Sequence, residues 1–164
     1  MASYQGMKHL ALLIFPLLFA APALAESHFT YSGDPRIVDG DSLTFGNTEL
    51  RLLCLDAVEL HQSCADASGQ PFPCGELAKQ AMIAAIDGQH VRCYGKAHDK
   101  YMRPLVRCKA GKRDLSRAMI EQGWAISTCR KTAKYEHEAR EAQRGIWQGT
   151  FEIPRDWRRE HPRK

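Results

Sequence analysis

The sequence predicts an α+β domain whose strands roll into a small barrel. Three observations lead there: short strand-like runs between His28 and Asp56, later segments with helical spacing, and no repeat or linker to divide the chain. The order of elements is about four strands, a helix, a hairpin and two helices, which suits one core and one domain.

Lys8 and His9 open a basic start, Leu10 to Ala21 form an apolar run, and Ala23-Leu24-Ala25 fits the small-x-small rule of an export signal. Residues 1–25 are expected to be removed, leaving Glu26 first, residues 26–150 as the domain and residues 151–164 as a basic tail. Pro16 and Pro22 break the apolar run, which is shorter than the roughly 20 residues of a spanning helix. The expected product is a periplasmic or extracellular monomer with no stable membrane association. The net charge of +4 permits a polyanionic partner without demanding one.

From His28 to Asp56, β-branched and apolar residues alternate between turn signals at Gly33-Asp34-Pro35, Asp39-Gly40 and Gly46-Asn47. They read as three or four antiparallel strands, with Gly46-Asn47 as a two-residue hairpin turn. Glu59 to Gly75 lacks periodicity and reads as a long loop. Leu77, Ala78, Ala81, Met82 and Ala85 fall at helical spacing within Glu76 to Ile86, with Gly88 as the stop. A hairpin from Gln89 to Lys109 follows, turning near Lys100. Asp114 is the expected N-cap of a helix closed by Gly123, Trp124 to Ser127 is extended, and Lys134 to Arg144 is a charged helix ended by Gly145. The stretch from Pro154 to Lys164 reads as a loose tail or one pinned by Trp157.

Six cysteines in an exported chain point to disulfides. Cys93 and Cys108 would face each other across the hairpin, Cys64 and Cys74 would close the loop, and Cys54 and Cys129 are left by elimination. The competing use, zinc held by His61, Cys64 and Cys74, lacks the usual Cys-x-x-Cys spacing.

Asp39-Gly40-Asp41 alone is an ordinary turn signal. Its interest comes from the segment Arg51-Leu52-Leu53-Cys54-Leu55, which leads as a strand would into Asp56-Ala57-Val58-Glu59. If the strands are neighbours, Asp41 and Asp56 meet at one rim, where two carboxylates need a cation or a proton between them. Oxygen-only ligands select a hard ion such as Ca²⁺ or Mg²⁺. Arg51, in an otherwise apolar strand, must reach the rim or an anion, and with Arg103 it offers two planar forks for a phosphate. Glu59 is placed to act on a water as general base.

These motifs, with Val38 to Leu43, Asp99-Lys100-Tyr101-Met102-Arg103 and Gly123-Trp124-Ala125, make the chain from about Ile37 to about Trp147 resemble the staphylococcal-nuclease-like (thermonuclease) domain. The cysteines are similar to those of a branch of exported bacterial relatives. The resemblance implies an OB-type five-stranded barrel with three helices and Ca²⁺-dependent hydrolysis of DNA and/or RNA. It implies Asp41 and Asp56 as metal carboxylates and Ala57 as a backbone-carbonyl ligand. Glu59 would act on the attacking water, Arg51 and Arg103 would clamp the phosphate, and Lys100 and Tyr101 would touch flanking phosphates.

Three departures from the family pattern stand out. Val58 replaces a proline, Met102 replaces a glycine, and Ser127-Thr128-Cys129-Arg130-Lys131 stands where tyrosines offer a stacking surface. They favour a second reading, a catalytically weak domain that binds nucleic acid or a protein and keeps a structural ion site. The five charged positions favour the enzyme.

Overall fold

The computed structural model describes Met1 and residues 28–162, so the expected signal from residue 2 onward and its cleavage point lie outside the described residues. The chain runs through strands Phe29–Gly33 (β1), Arg36–Ile37 (β2), Ser42–Phe45 (β3), Thr48–Leu52 (β4), Leu55–Ala57 (β5), Cys64–Ala65 (β6) and Pro71–Phe72 (β7) to helix Cys74–Ile86 (α1). Then follow Val91–His98 (β8), Pro104–Ala110 (β9), Arg113–Asp114 (β10), helix Leu115–Glu121 (α2), Ala125–Ser127 (β11) and helix Ala133–Glu141 (α3). A 3₁₀ turn at Gly145–Gln148 and helix Pro154–Glu160 (α4) complete it.

The main sheet is ordered β1-β8-β9-β4-β3-β2, with β10 added to β9. Its pairs are antiparallel except β4 with β9, where Arg51 faces Leu105 in parallel register. The sheet curls until edge strand β1 meets β3, and the rings of Tyr31 and Phe45 lie 6.0 Å apart. Leu43, Leu50 and Val106 of the sheet are buried with Met82 of α1 and Met119 and Ile120 of α2. The result is a half-barrel capped by helices, mixed α+β as expected, with a fourth helix that the sequence reading lacked.

Several elements form for the reasons anticipated. Gly46 takes φ 57 in a two-residue turn, so Phe45 pairs with Thr48. The Asp114 side chain accepts from the Arg117 N–H at 3.0 Å and caps α2. The long loop, however, contains the β6–β7 hairpin, and α1 starts at Cys74 rather than Glu76. The expected strand from Arg51 into Asp56 is broken at Cys54, whose φ of 73 is left-handed, and β5 turns away to pair with β11. The tail is helical: Pro154 opens α4, Asp156 lies in its first turn and Arg158 and Arg159 in its last, an order that suits the helix dipole.

The disulfides are Cys54–Cys129, Cys64–Cys74 and Cys93–Cys108, the pairing expected. Cys64 and Cys74 are thus bonded to each other, which removes the zinc alternative with His61. Among the described residues no helix is long and apolar enough to cross a membrane. The three disulfides are consistent with export.

Cys54–Cys129 closes a separation of 75 residues, and on the loop-entropy model such a bridge stabilises by about 4 kcal/mol. The double variant Cys54→Ala with Cys129→Ala should lose about that much unfolding free energy in urea titration. A loss below about 1 kcal/mol would show that the bridge constrains little.

Candidate active site

Asp39, Gly40 and Asp41 form the turn into β3. A Cβ on Gly40 would sit 2.7 Å from the Ala57 Cβ, so only glycine lets this turn lie against β5. Asp41 consequently reaches across: its Oδ2 accepts from the Ala57 N–H at 3.0 Å, and its Oδ1 accepts from Arg51 Nη1 at 2.8 Å and from the Ser42 hydroxyl at 3.0 Å. The other prong of Arg51, Nη2, donates to Asp56 Oδ1 at 2.6 Å. One guanidinium thus joins the carboxylate ahead of β3 to the one on β5.

Glu59 follows β5 and is held by its backbone. Its N–H donates to Gln62 Oε1 at 3.1 Å, and the Gln62 amide donates to the Glu152 carbonyl at 2.6 Å. Gly75 allows the start of α1 to press on this turn, since a Cβ there would lie 1.9 Å from the Glu59 carbonyl oxygen. The Glu59 carboxylate meets a partner absent from the sequence reading, Arg158 of α4. Arg158 Nη1 donates to Glu59 Oε1 at 2.7 Å and to Asp56 Oδ1 at 2.9 Å, while Nη2 donates to Asp56 Oδ2 at 3.1 Å. Burial opposes this charge, and the hydrogen bonds to Asp56 and Glu59 outweigh burial, holding the Arg158 pKa above its ordinary range.

The structure therefore gathers Asp41, Arg51, Asp56 and Glu59, and adds Arg158. Arg103 stands in the adjoining row. Leu105 is paired with Arg51, and Arg103 lies two residues back, about 7 Å along the strand direction. It is bonded to Glu49 at 2.8 Å and to Asp99 at 2.8 Å. Asp99 organises the whole 99–103 turn by accepting from the backbone N–H groups of Tyr101 and Arg103, both at 2.9 Å. Tyr101 is exposed, with Lys100 Nζ 4.9 Å from its ring centre. Met102 adopts φ 64, the left-handed conformation that a glycine takes freely.

Electrostatics make this cluster unusual. Asp39, Asp41, Asp56 and Glu59 are all buried. Burial pushes the Asp41 carboxyl from 3.8 to about 7; Arg51 and the Ala57 N–H pull it down, and Asp39 and Asp56 push it further up. Among the described residues no group of three or more His, Cys, Asp or Glu side chains is already arranged as a metal cage. The guanidinium groups of Arg51 and Arg158 lie between the carboxylates instead. The donors are nonetheless all oxygens and exceed the cations facing them, a set that fits a hard divalent ion.

Sequence reasoning missed Arg158, Gln62 and Glu49. The order Pro154, Asp156, Arg158-Arg159 signals a helix, but nothing local singles out Arg158 from its basic neighbours.

A family model described as staphylococcal nuclease homologue matches residues 49–149. That span includes Arg51, Asp56, Glu59 and Arg103 and excludes Asp41 and Arg158. The chain is 30% identical over 121 residues to the succinoglycan biosynthesis protein ExoI of Rhizobium meliloti, covering 70% of this chain and 63% of that protein. It is 32% identical over 101 residues to the probable staphylococcal-like nuclease CAN2 of Oryza sativa subsp. japonica, covering 58% of this chain and 27% of the relative. CAN3 of the same plant is 31% identical over 101 residues. The chain spans less than two thirds of the length of each of these relatives.

Two consequences can be measured. Because the folded Asp41 carboxyl binds its proton more tightly than the unfolded one, stability should fall as pH rises from about 4 to about 7 and level off above. In chelator, Asp41→Asn should flatten that limb of the urea-unfolding profile, and an unchanged slope would mean that Asp41 is ionised throughout. Met102→Gly should raise stability in urea titration by about 1 kcal/mol by relieving the left-handed backbone, and an unchanged midpoint would show that the methionine carries no strain beyond the glycine's added freedom in the unfolded chain.

Proposed function

The chain belongs to the staphylococcal nuclease homologue family, and from that premise we propose that it is an exported, Ca²⁺-dependent nuclease that hydrolyses phosphodiester bonds of DNA and/or RNA. The observation that carries this reading is the run Asp41–Arg51–Asp56–Arg158–Glu59, in which buried carboxylates and half-buried guanidinium groups alternate within hydrogen-bond distance. Such an arrangement suits a site that must hold both a cation and an anion.

In this reading Asp41, Asp56 and the Ala57 carbonyl would hold the ion, whose chemistry there would be to polarise a phosphoryl oxygen and help to place a water. Glu59 removes a proton from that water, or orients it, as it attacks phosphorus in line. Arg51 and Arg103 present N–H forks to the oxygens on which negative charge accumulates, and they accelerate the step to the extent that these bonds strengthen in the transition state. The bond to the 5′ oxygen breaks, leaving a 3′-phosphate. Glu59 and Asp56 each share Arg158 in the structure, so a phosphate arriving at the site meets a third guanidinium already in place.

A second reading, binding without turnover, draws support from that same Arg158, which satisfies the carboxylates that catalysis would use. An assay of purified protein on single-stranded DNA with Ca²⁺, then with excess chelator, separates the two. Cleavage that stops on chelation is expected, and binding with no cleavage under either condition would favour the second reading. Glu59→Gln should lower turnover by about 100-fold or more, and near-native turnover would remove Glu59 from the chemistry.

A further inference from the structure

The positive charge of this chain is unevenly placed. A cleft of about 1190 Å³ opens between the end of β9, the β10 turn, α2 and the start of α3. Arg107, Lys109, Lys112 and Lys131 line it, and among the described residues none of these four side chains has an ion-pair or hydrogen-bond partner. Three further arginines line the same cleft. Arg113 donates to the Ala85 carbonyl at 3.0 Å and Arg144 to the Glu121 carbonyl at 2.7 Å, bonds that fix each guanidinium without neutralising it.

The third, Arg117, pairs with Glu121 at 2.8 Å. Besides Glu121 the lining holds one other carboxylate, Asp114, whose oxygen caps α2. Seven cations thus face two carboxylates, a surplus of five against +4 for the whole sequence, so everything outside the cleft is slightly acidic in sum. A surplus concentrated in one concave surface focuses its field on a polyanion.

Strand β9 leads from beside the candidate active site to this cleft. Leu105 is paired with Arg51, and Arg107 and Lys109 follow on the same outward face of β9, where buried and outward residues alternate. The steps are about 7 Å each, a length that suits a stretched nucleotide repeat. Tyr94 lies directly across from Arg107 on β8 and is 55% exposed, so an aromatic face stands beside the row of cations. Cations tracking a backbone beside an exposed ring are the means by which proteins hold single strands.

We infer that the outward face of β9 and the basic cleft it leads into form an extended binding track for a single-stranded nucleic acid, holding phosphates several nucleotides to one side of the bond that is cleaved. The inference rests on the nuclease reading for the direction of the strand. The track acts through charge and one stacking ring, so it tolerates any sequence. It raises the affinity for long strands and leaves the chemical step alone.

The test uses the full chain and the variant Lys109→Gln with Lys112→Gln, two exposed positions outside the proposed catalytic groups. Binding of a labelled 20-mer oligothymidylate is followed by anisotropy in chelator across a salt series, and cleavage of the 20-mer and of a dinucleotide is followed with Ca²⁺. The expected result is about tenfold weaker binding of the 20-mer, with a log–log salt slope shallower by about 1.4. Its KM should rise to match, and dinucleotide turnover should be unchanged.

A folded variant that binds the 20-mer like the unaltered chain overturns the track. So does a variant that loses an acidic polysaccharide such as polyglucuronate while keeping the oligonucleotide. If the unaltered chain cleaves neither substrate, the nuclease reading fails instead, and the binding series still decides whether the cleft holds nucleic acid.

Discussion

The two-pronged grip of Arg51 on Asp41 and Asp56 is the interaction on which the site depends. Asp41 belongs to the turn before β3 and Asp56 to β5, two segments in separate sheets, and the guanidinium from β4 bonds to both. Without it two largely buried carboxylates would face each other unshielded, a situation that costs about 3 to 5 kcal/mol when one partner of a buried pair is removed. A well-packed apolar set of the same volume would serve stability as well or better. The network is therefore better explained by what it can bind than by what it holds together.

The supports of that grip are close backbone approaches that side chains would prevent. Gly40 brings the aspartate turn within reach of β5, and Gly75 brings the head of α1 onto the Glu59 turn. Gln62 completes the frame, buried and bonded on one side to the Glu59 backbone and on the other to the strand of chain that leads into α4. The segment that carries Glu59 and the segment that carries Arg158 are thus tied by this amide, with the paired backbones of Ala65 and Thr150 beside it. This explains how a residue 99 positions away along the chain arrives at 2.7 Å from the Glu59 carboxylate.

Much of this was legible in the sequence where the signal is local. The Gly46-Asn47 turn, the Asp114 cap and the hairpin that sets Cys93 opposite Cys108 each follow from residue types within a few positions of one another. What stayed hidden depends on contacts between distant segments. Cys54 reads as part of a strand because its neighbours are apolar, yet it is bridged to Cys129 and takes a left-handed backbone that ends β4. Arg158 is one arginine among several in the tail, and only the docking of α4 beside β5 selects it. Arg103 illustrates the reverse case: its motif was plain and its bond to Asp99 is local to the turn, but its bond to Glu49 comes from the parallel register of β4 and β9, which no short-range pattern announces.

The two departures nearest the site show that backbone conformation and residue type are separable requirements. Val58, where the resemblance expects proline, is 1% exposed and packs in the main core, so its side chain contributes burial while the chain still turns from Ala57 to Glu59. Met102 occupies the glycine position and adopts the glycine conformation, with its side chain 72% exposed and therefore free of any packing that could force the turn open. Asp99 holds the turn from inside through the N–H groups of Tyr101 and Arg103. Each bond of that kind to a charged acceptor is worth about 1.5 to 3 kcal/mol, enough together to outweigh the roughly 1 to 2 kcal/mol that a left-handed methionine costs. The position of Arg103 is consequently set by the aspartate at the start of the turn, and the residue at 102 affects how much stability that geometry takes rather than whether it forms.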